Sequence, residues 1–490
     1  MASDTHTFAV RPQTPNRRLR NQSSLERLLS FTLLSPPPIP EEVHEASLIY
    51  HLILDDCKRA HAVISPRGKG GNSDGADSKE IETGTGYREK DEEFYETEHN
   101  EEDQEAESED EEEDDGTVHL HKLFRALYRY SPTDDGRANI VRMVLHGLFP
   151  PTPTTDARAP SYTARALKSI IPRARCWVDY TPDQRLSVYH TLAAFASEFL
   201  EGFFVPLKAQ GRNTPHISSL ISPTSRSEIS PAQATTARLH DLRSRCLLRD
   251  GHRCVVTGKF DRSHIQNLMK KTTRARRRAL PAGYSTEAAH IIPHALNALD
   301  STTGALAPSK HYVWRIMNMF DPGISRILEG TAINSPANAL MLLPELHQRF
   351  GRLECYLEEV DENTYSFKHT ARSVQIEAFY EPRAPRLAFA NHEPEGTPHS
   401  PLPSARLLKF HRACCLILAM SGAAEYVERL LDDTEELMLK GMLAADGSSD
   451  LGLVLRLKGL YSDDEEEGEL EEEVLAEWGH GSLSPTVAVC

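Results

Sequence analysis

The chain has 490 residues, of which 39 % are hydrophobic, and its formal net charge is −17 at pH 7. This length suffices for two or three domains, but the low apolar content predicts long segments that join no core. Residues 1–20 lack the apolar stretch of a secretory signal, and no window holds the roughly 20 apolar residues of a membrane span, so a secreted or membrane-bound protein is not expected.

Apolar spacing predicts a series of helices in the first half of the chain. Apolar residues recur three and four positions apart over 41–60, from Leu120 to Leu127, over 138–148 and from Arg185 to about Phe204. Between them lie segments with too few apolar residues to offset their chain entropy. We expect, in order, a disordered N-terminus at 1–40, an isolated amphipathic helix at 41–64, a disordered acidic linker at 65–116, a helical subdomain at 117–206 and a linker at 207–231.

The second half of the chain predicts a domain that contains both strands and helices, followed by further helices. Leu239, Leu242 and Cys246 share one face of a helix, and segments 353–357 and 364–367 predict a hairpin that 374–380 could extend. We expect a domain of strands and helices at 232–380, a proline-rich linker at 381–403, C-terminal helices at 404–445 and an acidic disordered tail at 446–490. The predicted fold class is α+β.

Two acidic tracts account for the negative charge. Residues 89–115 contain eighteen acidic residues and one lysine, and residues 463–477 contain ten acidic residues and no base. Together they carry −27, which leaves +10 for the rest of the chain. The basic remainder could meet a polyanion, while the tracts could compete for the same surface, bind basic proteins or act as solubilising linkers.

The eight cysteines are scattered and form no CxxC pair. This usage is typical of reduced thiols, so an intracellular location is expected, and the nucleus is one open possibility.

Two short segments predict a hydrolytic site. An apolar strand ends with His290 in the sequence EAAHIIP at 287–293, and a second apolar run opens with Asn338 and is followed by His347. Phosphodiester hydrolysis needs an activated water, a cation that stabilises negative charge, and fixed geometry. A histidine with a pKa near neutrality can deprotonate water, and an asparagine can fix a loop by hydrogen bonding to its backbone. His290 is the candidate base, Asn338 the candidate loop clamp and His347 the candidate metal ligand.

These residues and their flanks resemble the HNH endonuclease family. The opening LLRDGHRCVVTG at 247–258 is similar to the RDG-x-x-C-x-x-TG start of one subgroup, and EAAHIIP is similar to its E-A-A-H-I-x-P centre. Segments 408–415 and 421–426 are similar to the C-terminal helices of large HNH-containing proteins common in fungi, which extends the resemblance to about 117–435. The resemblance implies a small ββα-metal HNH module embedded among mostly α-helical flanking segments, with disordered acidic tracts.

The sequence departs from the family pattern at two metal positions. Ala289 stands where better-equipped members have His or Asp, and Gly351 stands where a second helix ligand is often found. His347 remains as a family ligand, and Glu287 or His294 is close enough in sequence to contribute another. The implied cofactor is a divalent cation, with Mg²⁺ expected and Mn²⁺ or Zn²⁺ as alternatives, because Mg²⁺ tolerates few protein ligands when phosphate oxygens complete its shell.

A basic loop is predicted just before the motif. It contains Arg262 and the candidate nucleic-acid contacts Lys270, Lys271, Arg274, Arg276, Arg277 and Arg278. These cations could contact phosphates, serve nuclear import or simply be solvated.

Three hypotheses of function follow. The first is a metal-dependent HNH endonuclease, a hydrolase acting on DNA rather than RNA. The second is a catalytically degraded HNH fold that binds nucleic acid or protein, as the missing ligands at Ala289 and Gly351 suggest. The third is a structural interaction protein. The sequence gives no indication of oligomeric state.

Overall fold

The structure is a computed structural model, and it describes residues 40–64, 117–150, 167–212, 231–297, 308–370, 380–394, 396 and 399–439. The disorder predicted for 1–40 (apart from Pro40), 65–116 and 446–490 lies outside the described residues, and so do both acidic tracts. The strand extension predicted at 374–380 also lies outside them, except for its last residue.

The described part of the chain is an α+β fold with small sheets. Its helices are α1 (Pro40–Arg59), α2 (Leu120–Arg129), α3 (Asp134–Leu148), α4 (Leu167–Ala174), α5 (Pro182–Phe199), α6 (Val205–Arg212), α7 (Pro231–Arg249), α8 (Arg262–Lys271), α9 (Arg274–Arg277), α10 (Pro308–Phe320), α11 (Pro344–Gly351), α12 (Ala405–Ser421) and α13 (Ala423–Leu439). Its strands are β1 (Val63–Ile64), β2 (Val118–His119), β3 (Phe260–Asp261), β4 (Gly283–Tyr284), β5 (Glu287–His290), β6 (Ala339–Leu342), β7 (Cys355–Asp361), β8 (Thr364–His369) and β9 (Leu387–Ala388).

Local capping explains where the predicted helices begin. Helix α3 starts at Asp134 because the Thr133 hydroxyl accepts a hydrogen bond from the Gly136 N–H at 2.9 Å. Helix α5 starts at Pro182, three residues earlier than the apolar spacing indicates, because Thr181 and Gln184 form a reciprocal capping box. A π-helical turn at Leu200–Phe204 then leads directly into α6.

The prediction of an isolated helix at 41–64 is wrong, because α1 packs against α2 and α3. Tyr50 and Ile53 are buried, and the Tyr50 hydroxyl donates to the Phe124 carbonyl oxygen at 2.6 Å. The same core continues into the segment before β6. Thr133 and Asn139 of the helical part donate to the carbonyl oxygens of Phe320 and Met319 at 2.8 and 3.0 Å. The helices of the first half of the chain and the later part that contains β5 to β9 therefore share one hydrophobic core.

The two predicted linkers are partly structured. Helix α6 runs through the expected boundary at 206–207, and Leu207 is buried within it. The segment 381–403 follows the surface of the mixed part instead of leaving it. The N–H of His392 donates to Arg249 O, that of Arg383 to Val256 O, and that of Ser404 to Ala337 O, at 2.8 to 3.0 Å. These backbone bonds and the buried Leu387 of β9 fix the segment in place.

The hairpin predicted near 353–367 is confirmed as β7 and β8, which pair in antiparallel register with Asn363 in the left-handed region at the turn. Its third strand is β9, paired antiparallel with β8 at Tyr365 and Leu387. This strand comes from the segment predicted as a linker.

No single described helix has the length and apolarity of a membrane span. Helix α12 and residues 423–432 of α13, which meet at an angle of 100°, pass that test as a pair by length and composition.

Strands β5 and β6 and helix α11 form a ββα unit. The strands pair antiparallel from Glu287 opposite Leu342 to His290 opposite Ala339. Every residue of β6 is buried, because Leu340 and Leu342 join the main core while Ala339 and Met341 meet a second apolar cluster on α7. Burial on both faces fixes the strand register, and the register fixes His290 beside the start of β6.

Candidate functional site

The ββα unit brings the predicted site residues to one end of the hairpin. His290 is the last residue of β5, and Asn338 comes directly before β6. Pro344 then ends the apolar run and occupies the first turn of α11, which places His347 in the next turn. His290 and His347 line the same small cavity.

Asn338 does not line this cavity, and its side chain bonds only to backbone in the described structure. Its Oδ1 accepts from the Ile292 N–H at 2.9 Å, and its Nδ2 donates to the carbonyl oxygens of Ile292 and Ile333 at 2.9 Å each. The side chain is buried, so all three bonds are sheltered from water. One amide thus ties the loop after His290 to the turn before β6.

His290 is held through one ring nitrogen. Its Nε2 lies 3.0 Å from Asn334 Oδ1, whereas its buried Nδ1 has no hydrogen-bond partner among the described residues. Burial and the nearby His294 and His347 lower the pKa of His290 to about 3, against the opposing effect of the Asn334 hydrogen bond. The ring is therefore neutral at physiological pH. The pKa near neutrality expected from the sequence does not hold in this closed environment.

His347 is held by a carboxylate. Its Nδ1 lies 2.8 Å from Glu287 Oε2. This contact joins the first residue of β5 to α11. A carboxylate that accepts from one imidazole nitrogen orients the ring and leaves the other nitrogen for a ligand. Glu287, predicted as a metal ligand, is placed to orient His347. His294, the other possible ligand, has its ring centroid 5.1 Å from that of His290.

Two flanking helices cover the cavity. Its lining includes Leu207 and Gly211 of α6 and Phe410, His411 and Cys414 of α12. The cavity volume is about 20 Å³, which is room for roughly one water molecule. His290 is 6 % exposed and His347 is 7 % exposed. A phosphodiester cannot reach the two imidazoles in this arrangement.

Gly351 has a structural reason to lack a side chain. A Cβ on Gly351 would lie 2.4 Å from the carbonyl oxygen of Gly211, and a Cβ on Gly211 would lie 2.2 Å from that of Gly351. Helices α6 and α11 therefore cross with their backbones in contact. The position where many family members carry a second ligand is occupied by another helix.

Helix α12 is fixed to α11 by a stacked pair. The His411 ring lies over Phe350 with centroids 3.8 Å apart and planes at 9°, and its Nε2 lies 3.0 Å from the Phe350 carbonyl oxygen. Burial lowers the pKa of His411 to about 4. His411 is therefore a neutral core residue that holds the cover over the site.

Comparison with known proteins identifies this region. Residues 254–358 match the HNH endonuclease family model. The chain thus contains an HNH endonuclease-like domain, which includes His290, Asn338 and His347. No curated protein and no solved structure matches the chain. An HNH endonuclease domain implies nucleic-acid binding in general, and nucleases of this family generally use a divalent metal.

Arg249 and Asp250 of the RDG sequence, at the entry to the HNH domain, are buried and hold the backbone around Asn338. Arg249 is fully buried, forms a bidentate pair with Asp250 and donates to the Ala339 carbonyl oxygen at 2.8 Å. A further hydrogen bond from Arg249 reaches the carbonyl oxygen of Pro336, and the Met341 N–H donates to Asp250 at 3.1 Å. The pair therefore holds the backbone on both sides of Asn338.

The predicted basic loop of the HNH domain is instead helical. Its residues form α8 and α9, because the Asp261 side chain caps α8 by accepting from the N–H groups of Ser263 and His264 at 2.9 and 3.4 Å. The exposed cations on these helices and at the cap that follows α9 are Arg262, Lys270, Lys271, Arg274, Arg276, Arg277 and Arg278. None of these cations forms an ion pair within the described ranges.

The HNH domain fits a cation that has one protein ligand. The described residues hold no group of three or more His, Cys, Asp or Glu side chains that could enclose a metal ion. His347, with Nδ1 held by Glu287, has the hydrogen bonding of a metal-bound imidazole. Its Nε2 is the nitrogen that would face the ion, and water and phosphate oxygens would fill the remaining positions, as Mg²⁺ tolerates.

Sequence reasoning missed two residues of this site. Asn334 contacts His290, but nothing in the sequence around it distinguishes it from an ordinary turn residue. Gly211 contacts Gly351 from 140 positions away, and only the shared lack of a side chain in two helices hints at a close crossing.

Proposed function

We propose that the HNH domain hydrolyses DNA phosphodiester bonds in a metal-dependent endonuclease reaction. One observation carries this proposal: His290 and His347 line the same cavity, the first with an unpartnered buried Nδ1 and the second with a carboxylate on its Nδ1. A base and an oriented metal-binding imidazole are the two groups that such a reaction requires of the protein.

Each residue has a separate part in the proposed reaction. His290 accepts a proton from the attacking water at Nδ1, and Asn338 holds the loop that carries it. His347 holds the cation through Nε2 while Glu287 fixes the ring. When bound, the divalent ion stabilises negative charge at phosphorus and at the leaving oxygen.

The cover over the cavity has to move for substrate to enter. Helix α6 contacts α11 at Gly211 and Gly351, and α12 contacts it through His411 and Phe350. We propose that nucleic acid binds the open form. Water that enters with the substrate would restore solvation to His290 and raise its pKa toward the ordinary value, which makes the ring a better base near neutral pH.

Helices α8 and α9 are the proposed surface for the phosphate backbone. The exposed cations on these helices and at the cap after α9 have no carboxylate partner in the described structure: Lys270, Lys271, Arg274, Arg276, Arg277 and Arg278. Unpaired Lys and Arg side chains can neutralise DNA phosphates, which releases the counterions condensed on the DNA and favours binding. DNA is the proposed substrate rather than RNA.

The proposal is tested by incubating the full-length protein with supercoiled plasmid in Mg²⁺ or Mn²⁺, with and without a chelator. Conversion of supercoiled plasmid to nicked circles that stops on chelation is expected. A parallel reaction with structured RNA decides between the two nucleic acids.

The second candidate function is a non-catalytic HNH fold that binds nucleic acid. It is favoured by Ala289 and by the Gly211–Gly351 contact, which leave the chain without the other protein ligands of its family. This alternative predicts DNA binding that weakens steeply with salt and no cleavage in any divalent metal. Cleavage lost on chelation would exclude it.

A further inference from the structure

We infer that Asn334 is a positioning residue that fixes the tautomer of His290, an inference that rests on the proposed role of His290 as the base. Asn334 ends the 3₁₀ turn Gly330–Asn334, and its Oδ1 lies 3.0 Å from His290 Nε2. An amide oxygen can only accept, so this contact is a hydrogen bond only when Nε2 carries the hydrogen.

The consequence for His290 concerns its other nitrogen. A neutral imidazole carries one N–H, so a hydrogen on Nε2 leaves the lone pair on Nδ1. That Nδ1 is buried without a partner among the described residues, in a ring that lines the cavity with His347. The opposite tautomer would place a hydrogen on Nδ1 and could not take a proton from water there.

Asn334 is itself held by the clamp. Asn338 Nδ2 donates to the carbonyl oxygen of Ile333, the residue before Asn334, and also to that of Ile292 in the loop after His290. The same amide therefore fixes both the base loop and the turn that orients the base. Because Asn334 is uncharged, its hydrogen bond favours a charged imidazolium less than a carboxylate at this position would.

The experiment uses full-length protein with ¹⁵N-labelled histidine, and the His290 signals are assigned by comparison with His290→Gln. In the unmodified protein we expect Nε2 to resonate as a protonated nitrogen and Nδ1 as an unprotonated one. Asn334→Ala should give a mixture of tautomers and lower plasmid nicking by about 10- to 100-fold, by analogy with the loss when a group that orients a metal-binding histidine is removed. Asn334→Asp, which keeps an acceptor oxygen, should keep the hydrogen on Nε2.

Gln348→Ala is the matched control, since it removes an exposed amide from α11 and should leave the His290 signals unchanged. The inference is overturned if His290 carries its hydrogen on Nδ1 in the unmodified protein, or if Asn334→Ala leaves the tautomer unchanged. If the alanine variant does not fold, loss of the hydrogen from Nε2 in Asn334→Asp overturns the inference instead. A tautomer that depends on Asn334 in a protein that cuts no nucleic acid would sink the proposed function and leave this inference standing.

Discussion

Gly211 and Gly351 touch through their backbones, and a Cβ on either would lie within 2.4 Å of the other's carbonyl oxygen. The contact joins α6 to the helix that carries His347, and it accounts for the absence of a side chain at a position where related domains often bind metal. The cover over the site and the missing ligand at position 351 therefore have one structural cause.

The Gly211–Gly351 crossing predicts that Gly351→Ala destabilises the protein. Alanine normally favours a helix over glycine by about 1 kcal/mol, but here its Cβ meets the Gly211 backbone, which cannot move aside cheaply. We expect the free energy of unfolding in urea to fall by about 1–3 kcal/mol. Gln348→Ala, at an exposed position of the same helix, should change it by less than about 0.5 kcal/mol. A gain in stability from Gly351→Ala would show that the helices do not cross in this way.

The Glu287–His347 pair predicts an effect on cation binding. Glu287→Gln removes the charge that orients His347 and should weaken Mn²⁺ binding by about 10- to 100-fold in isothermal titration calorimetry. Glu345→Gln is the control, because Glu345 lies on the same helix as His347 and pairs with Arg349. Equal affinities for Glu287→Gln and Glu345→Gln would mean that Glu287 has no part in holding the ion.

The lowered pKa of His290 predicts a loss of stability in acid. Its pKa falls from an ordinary value of 6.5 to about 3 in the folded protein, so between these values the unfolded chain binds a proton that the folded chain does not. The part of the free energy of unfolding that depends on a neutral His290 is complete above pH 6.5. It declines as the pH falls toward 3 and does not change further below that. Each pH unit in this window should cost the natural protein up to about 1.4 kcal/mol more than His290→Gln. Urea unfolding at pH 7.5 and pH 5 measures the difference, and equal losses in both proteins would contradict the burial of a neutral ring.

The cations of α8 and α9 predict the salt dependence of DNA binding. Replacing Lys270, Lys271 and Arg274 together by glutamine should reduce affinity and lower the slope of log K against log salt by about 0.9 for each DNA phosphate that the variant no longer neutralises. The control triple variant replaces Arg326, Lys368 and Lys409, which are also exposed, so the net charge changes equally. If both triples change the slope alike, binding depends on overall charge and α8 is not the surface that meets DNA.

Local patterns predict the elements of the fold more closely than their packing. The spacing around Tyr50 and Ile53 indicates α1, and the turn at Asn363 indicates the β7–β8 hairpin, because both depend on neighbours within a few residues. The burial of α1 against Phe124 and the Gly211–Gly351 contact depend on residues 74 and 140 positions apart. No local periodicity encodes such contacts.

The residues of the candidate site also differ in whether local sequence patterns reveal them. His290, Asn338 and His347 can be found because each occupies a fixed place relative to an apolar strand. Asn334 cannot, since its role depends on where the inserted segment between β5 and β6 returns to the strand end. The helical form of the basic segment is hidden in the sequence because Ile265 is the one buried residue of α8, so this helix shows no apolar stripe.

Plasmid nicking by His290→Ala tests the central claim most directly. Supercoiled plasmid is incubated in Mg²⁺ with the natural protein, with His290→Ala, with His347→Ala, and with His240→Ala as a control at an exposed position of α7. We predict that the natural protein and His240→Ala nick the plasmid at similar rates and that both site variants lose the activity. Equal nicking by His290→Ala, or none by the natural protein in any divalent metal, would contradict the assignment of His290 and His347 as a nuclease site.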